Sequence, residues 1–213
     1  MSNILKELIQ RYPQLSSIEE HLAKAYSILE NSFYNGGTLF VCGNGGSASD
    51  AEHIVGELMK GFKLKREIDR DFKQKLEEKY GSSGKEMADK LQKGLRAISL
   101  ISHPALLTAF SNDVDASLVY AQQLYVLGKK GDVFIGISTS GNSVNVRRCF
   151  EIASLTGIKT IAMTNSDGGI CAKMADCPIR VPEKETFKAQ ELHLPIYHAL
   201  CLMLEEHFYG EKS

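Results

Sequence analysis

The chain lacks the marks of an exported, membrane-bound or nucleic-acid-binding protein. None of its apolar runs approaches the roughly 20 residues needed to span a bilayer. The opening segment, Met1 to Gln14, has neither a basic n-region nor a long apolar h-region, which predicts that the protein is not exported. Lys and Arg total 25 against 26 Asp and Glu, and a net charge of −1 offers no footprint for nucleic acid or an anionic membrane. The five cysteines are odd in number and form no C-x-x-C pair, so neither a disulfide framework nor a zinc ribbon is spelled out. Cys42, Cys149, Cys171, Cys177 and Cys201 mostly fall in apolar stretches, where a free thiol packs as a small hydrophobe. The expectation is a cytoplasmic protein in a reducing compartment. Internal repeats and low-complexity tracts are absent as well.

What is present points to one large α/β domain spanning residues 1–213. Ser17 with Glu20 resembles a capping box before a helix carrying Leu22, Ala25, Tyr26, Leu29 and Phe33, so residues 1–37 are expected to be N-terminal helices ended by Gly36 and Gly37. Thr38–Cys42 reads as a buried strand, with further strands expected at Ala97–Ile101, Asp132–Ser138, Lys159–Thr164 and Cys177–Val181. Helical patterns separate most of them, including Ala48 to about Lys60 and a terminal helix from about Thr186 to Phe208. Strands alternating with helices imply a parallel sheet covered on both faces, with ligands at the carboxyl ends of the strands. Residues from about 63 to 94 break this rhythm. They are rich in Lys, Glu and Asp, interrupted at Gly81-Ser82-Ser83-Gly84, and carry Phe72, Leu76, Tyr80, Met87, Leu91 and Leu95 at heptad-like spacing. That pattern predicts a charged helical hairpin, either a solvated surface insertion or a lid.

Two strand-to-helix loops carry the chemistry. In Gly136-Ile137-Ser138-Thr139-Ser140-Gly141-Asn142-Ser143, a buried strand delivers four hydroxyls to the start of a helix. Hydroxyls beside unpaired amides at a helix N-terminus suit a phosphate dianion without any lysine, the plainer alternative being a Ser-rich cap. Gly43-Asn44-Gly45-Gly46-Ser47 is similar in kind, and its glycines let a ligand approach the backbone closely. It is neither G-x-G-x-x-G nor a Walker loop. His53 and Glu57 follow four residues apart on one helix face, able to hold a divalent metal or place a base, unless they are only a surface pair. The terminal helix offers Gln190, Glu191, His193 and His198 among apolar residues, where a histidine is by default a packed core residue.

Gly43 to Ser47 with His53 and Glu57, then Ile137 to Ser143, then Asp167-Gly168-Gly169, then Gln190-Glu191-x-His193-x4-His198 together resemble the phosphoheptose isomerases of the sugar-isomerase domain superfamily. The match runs in order along nearly the whole chain, interrupted mainly by the charged segment after Gly61. The resemblance implies a three-layer α/β sandwich with a five-stranded parallel sheet, a homotetramer with sites at subunit junctions, and conversion of sedoheptulose 7-phosphate to D-glycero-D-manno-heptose 7-phosphate for bacterial heptose biosynthesis. It implies that Ser138, Thr139, Ser140 and Ser143 hold the phosphate, and that Asn44, Gly45, Gly46, Ser47, Asn112, Asp113, Asp167 and Gln190 line the sugar beside Glu57. Glu57 and His198 match the acid–base pair, and His53, Glu57, Gln190 and His198 match the Zn2+ ligands of metal-bearing members. Some superfamily relatives are non-catalytic sugar-phosphate-binding regulators; retention of His53, Glu57 and His198 together favours the enzyme. Gly61 stands where the family commonly has Arg, and Pro195 interrupts the terminal helix with an expected kink.

Overall fold

The computed structural model describes residues 2–210. Helix α1 (Asn3–Arg11) starts at Ser2, whose Oγ accepts from the Ile4 amide at 3.2 Å. Pro13 then opens a 3₁₀ turn, Pro13–Ile18, that runs into α2 (Glu19–Tyr34). The expected Ser17–Glu20 capping box does not form. Ser17 lies inside the 3₁₀ turn and donates to the Gln14 carbonyl at 3.4 Å, while Ile18 occupies the cap position.

Beyond α2 the chain alternates. Strand β1 (Leu39–Gly43) leads to α3 (Gly46–Met59) and α4 (Arg70–Lys90), and β2 (Ala97–Ser99) leads to α5 (Pro104–Phe110) and α6 (Val119–Leu127). Strand β3 (Val133–Ile137) leads to α7 (Val144–Thr156), β4 (Lys159–Thr164) to α8 (Gly169–Met174), and β5 (Cys177–Arg180) to α9 (Thr186–Tyr209). The strands form one parallel sheet in the order β2-β1-β3-β4-β5. In register, Val41 sits opposite Ile135, Ile135 opposite Ile161, and Met163 opposite Ile179.

Period-two alternation within the strands divides the core in two. Val41, Ile135, Ile161 and Ile179 share one core with residues of α1, α2, α3 and α9, whereas Phe40, Phe134 and Ala162 share the other with residues of α6, α7 and α8. These are the three layers expected for a sheet covered on both faces.

The charged segment is a hairpin. Helix α4 breaks at Gly81 (φ 56°, ψ −129°), and its arms lie so close that a Cβ at Gly84 would strike the Leu76 carbonyl. An antiparallel contact between Glu67 and Gln92 and a Lys93 N–H to Arg66 O bond of 2.7 Å close its base. The bulky apolar residues do not seal it. Gly84 and Ala88 are buried, whereas Phe72, Tyr80, Met87 and Leu91 are exposed. Helix α9 runs as one helix through buried Pro195, where Glu191 O loses its helical donor.

Candidate active site

Strand order reverses between β1 and β3, and at such a switch point the two loops leaving the carboxyl ends diverge and open a crevice. The glycine loop leaves β1 there and the serine loop leaves β3. A reciprocal amide pair ties them together: Asn44 Nδ2 donates to Asn145 Oδ1 at 2.9 Å, and Asn145 Nδ2 donates to Asn44 Oδ1 at 3.0 Å. Tyr120 steadies the first loop from below, donating to Gly43 O at 3.1 Å.

The serine loop is braced from within. Ser138 Oγ donates to Ser143 Oγ at 3.0 Å, and the Asn142 amide donates to Ser140 Oγ at 3.2 Å. Ser143 occupies the N-cap position of α7 without a side-chain capping bond, and the first-turn amides have no helical partner of their own. Gly141 (φ 66°) packs on the backbone of Gly168, leaving no room for a side chain. That contact joins the serine loop to the Asp167 turn. Buried Asn165 completes the join. Its amide donates to Thr139 O at 2.8 Å, and its Oδ1 accepts from the amides of Asp167 and Gly168 at 3.0 and 3.2 Å. The Asp167 carboxylate itself is exposed, 3.8 Å from Lys184 Nζ.

Helices α3 and α9 lie side by side and run the same way, as successive contacts show. Gln190 is packed on Gly46, where a Cβ would come within 2.6 Å of its Nε2. Further along, Tyr197 donates to Asp50 Oδ1 at 3.1 Å and meets His53 Nδ1 at 3.0 Å. His198 Nε2 lies 3.5 Å from His53 Nε2, which is 3.3 Å from Glu57 Oε1. Glu57 is largely covered, its side chain 13% exposed against 41% for His53, and its other oxygen pairs with Lys60 at 3.0 Å. Ser47 is buried in the first turn of α3.

The Tyr197 hydroxyl hydrogen goes to Asp50, so its oxygen accepts from His53 Nδ1–H. The other ring nitrogen of His53, Nε2, faces both Glu57 Oε1 and His198 Nε2. Something electropositive belongs between them, a proton or a cation. His198 is held below its ordinary value by burial and then by the neighbouring His53. Burial pushes the Asp50 carboxyl up, against the opposing effects of Tyr197 and His53, and it pushes the Tyr197 phenol up as well.

The expected zinc ligands are brought together only in part. His53 touches both Glu57 and His198, a donor set of two imidazoles and a carboxylate that suits Zn2+. Gln190 sits about two turns away along α9, against Gly46. Among the described residues, no group of three or more His, Cys, Asp or Glu side chains is closed around a single ion position. Asn112 and Asp113 are exposed on a π-helical turn, Ser111–Asp115, where they bond to each other at 2.8 Å and make no hydrogen bond to either loop. Sequence reasoning missed Asn145, Asn165, Asp50, Tyr120 and Tyr197, which hold the site residues in place. Asn145, inside the serine-loop run, and Tyr197, beside His198, had positional signals; the others had none.

Profiles described as the SIS domain match residues 5–83 and 108–204, and together with the sheet order and the two loops they define a sugar-isomerase-domain protein. The chain is similar to a phosphoheptose isomerase of Helicobacter pylori (strain P12), at 38% identity over 203 residues, which cover 95% of this chain and 91% of that one. It also resembles solved phosphoheptose isomerases from Neisseria gonorrhoeae (TM-score 0.74, 30% identity) and Francisella tularensis (TM-score 0.75, 28% identity), with 94% of both chains covered in each comparison. The chain belongs to the phosphoheptose isomerase family.

Proposed function

We propose that this protein is an aldose–ketose isomerase that converts sedoheptulose 7-phosphate to D-glycero-D-manno-heptose 7-phosphate, for bacterial heptose biosynthesis. The observation that carries this reading is the contact series Glu57–His53–His198 between two parallel helices, one of which starts from the glycine loop. Isomerisation needs a base at carbon, a proton source at oxygen and an anchor that fixes the pose.

The anchor is the serine loop. Ser138, Thr139, Ser140 and Ser143, with the first-turn amides of α7, bind the phosphate dianion. Asn44, Gly45, Gly46, Ser47, Asp167 and Gln190 line the acyclic sugar, with Asn112 and Asp113 as further proposed contacts. The Glu57 carboxylate takes a proton from C1 of the ketose as the C2 carbonyl oxygen gains one from His198, giving the enediol. His198 then recovers a proton from O1 as Glu57 returns the carbon-bound proton to C2, which gives the aldose. A regulator would leave this acid–base contact idle, so the same geometry speaks against a purely binding role.

Zn2+ is part of the proposal, with His53, Glu57 and His198 holding it; Gln190, expected as a fourth ligand, lies against Gly46 instead. When bound, the ion would supply Lewis-acid polarisation of the substrate carbonyl. A homotetramer is proposed too, because His53 stands open on one side and a neighbouring subunit would exclude water there. Five buried, free cysteines agree with a reducing, cytoplasmic setting, and no helix among the described residues is long and apolar enough to cross a membrane. The test is turnover of sedoheptulose 7-phosphate with and without added zinc. Formation of the aldose is expected, stimulated by zinc and abolished by chelator; no turnover under either condition would sink the reading.

A further inference from the structure

One buried ion pair lies outside the chemistry described so far. Arg66 and Glu205 are 0% and 1% exposed at their side chains, with Arg66 Nε donating to Glu205 Oε1 at 2.9 Å. Burying two charges costs several kcal/mol in desolvation, so such a pair is a poor source of stability by itself. Its other bonds indicate a different use. Arg66 Nη1 donates to Leu58 O at 2.7 Å and Nη2 to Glu57 O at 3.2 Å, so the guanidinium closes the last turn of α3. Glu205, on α9, accepts from the amides of Phe62 and Lys63 at 2.7 and 2.8 Å, fixing the chain as it leaves α3. The Arg66 guanidinium also lies 4.8 Å from the centre of the Tyr209 ring. The guanidinium therefore holds the end of α3 and the carboxylate, standing on α9, holds the chain leaving it, so the pair ties together the two helices that bear the acid–base groups. The guanidinium reaches the backbone of Glu57 itself; the carboxylate stands about two turns beyond His198 on α9.

We infer that Arg66 and Glu205 are positioning residues that set the Glu57 carboxylate against His198, acting through the end of α3 rather than by touching substrate. The inference rests on the isomerase reading for its kinetic consequence and on geometry alone for its structural one. Neither residue bonds to the serine loop, so the phosphate anchor should not feel their loss. Displacing a reacting group by about 1 Å costs on the order of 10²-fold in rate.

The test is Arg66→Lys, which keeps a cation opposite Glu205 but cannot fork to two carbonyls, with Glu205→Gln as a milder partner should the first variant fold poorly. Two readouts are taken: kcat and KM for sedoheptulose 7-phosphate, and amide hydrogen exchange across Glu57 to Lys63. The expected result is a fall in kcat of about 10- to 100-fold with KM within about twofold, accompanied by faster exchange in that segment. Wild-type kcat in a folded variant, a change confined to KM, or unchanged exchange would overturn the inference. If the wild-type protein does not isomerise the sugar, the functional reading fails, and the exchange measurement still decides whether the clamp exists.

Discussion

His193 shows how one buried side chain sets a pH response. It is fully buried on α9; Nε2 reaches Thr164 O at 3.3 Å, and Nδ1 has no partner. A carbonyl only accepts, so Nε2 carries the hydrogen and the ring is neutral. Burial pushes its pKa down to about 4 from the ordinary 6.5. The unfolded chain therefore binds a proton that the folded one refuses. Stability from this group is complete above pH 6.5 and is lost as pH falls toward 4, by about 3 kcal/mol in all. Replacing it by His193→Gln, which can still donate to Thr164 O, should flatten the fall in denaturation free energy between pH 7 and pH 4 by roughly that amount. Equal slopes for both proteins would show that His193 titrates normally. At the phosphate anchor, Ser140→Ala should raise KM for the sugar phosphate by about 10- to 100-fold, the worth of one bond to a charged group (about 1.5–3 kcal/mol). Unchanged affinity would remove Ser140 from the anchor. These hydroxyls were legible because a strand-turn-helix loop with four of them has few other uses. Asn165 was not legible: its role depends on a β4 carboxyl end that lies beside the serine loop only after the sheet forms.

Among the elements, the strands were the most readable because apolar runs in a parallel sheet are continuous and bounded by glycine or charge. All five expected strands occur, each ending within a residue or two of its predicted limits. The start of α2 was misread because Pro13 tightens the following residues into a 3₁₀ turn, a choice that a capping-box pattern cannot reveal. The hairpin was readable in outline, with its break at Gly81, but not in its packing, because Gly84 and Ala88 rather than the large residues form the seam between its arms. Its base is already closed by the Glu67–Gln92 contact. Excising Asp69 to Leu91 and joining the ends through a short Gly-Ser turn should leave a folded protein melting within about 4 °C of the parent, since little core is lost. Arg66 and Lys93 must be retained. A loss of folding would mean that the exposed Phe72, Tyr80, Met87 and Leu91 are covered in the assembly.

For the whole molecule, the parallel course of α3 and α9 is the fact that no local pattern contains. His53 and Glu57 share a face by spacing alone, yet their approach to His198, 141 residues beyond Glu57, depends on both helices packing over one side of the sheet. Assembly belongs to this scale as well. Light scattering should give about four times the mass of the 23.5 kDa chain. A fully active monomer across working concentrations would remove the neighbouring subunit from the account. The central claim is that Glu57 moves the carbon-bound proton. It is tested most directly by following deuterium from solvent D2O into the sugar phosphate, in the wild-type protein and in Glu57→Gln. Gln keeps the shape but cannot take the proton. Exchange at the reacting carbon should therefore fall by about 10²- to 10⁴-fold while sugar-phosphate binding persists. Exchange at the wild-type rate in Glu57→Gln would contradict the mechanism and pass the role of base to another residue.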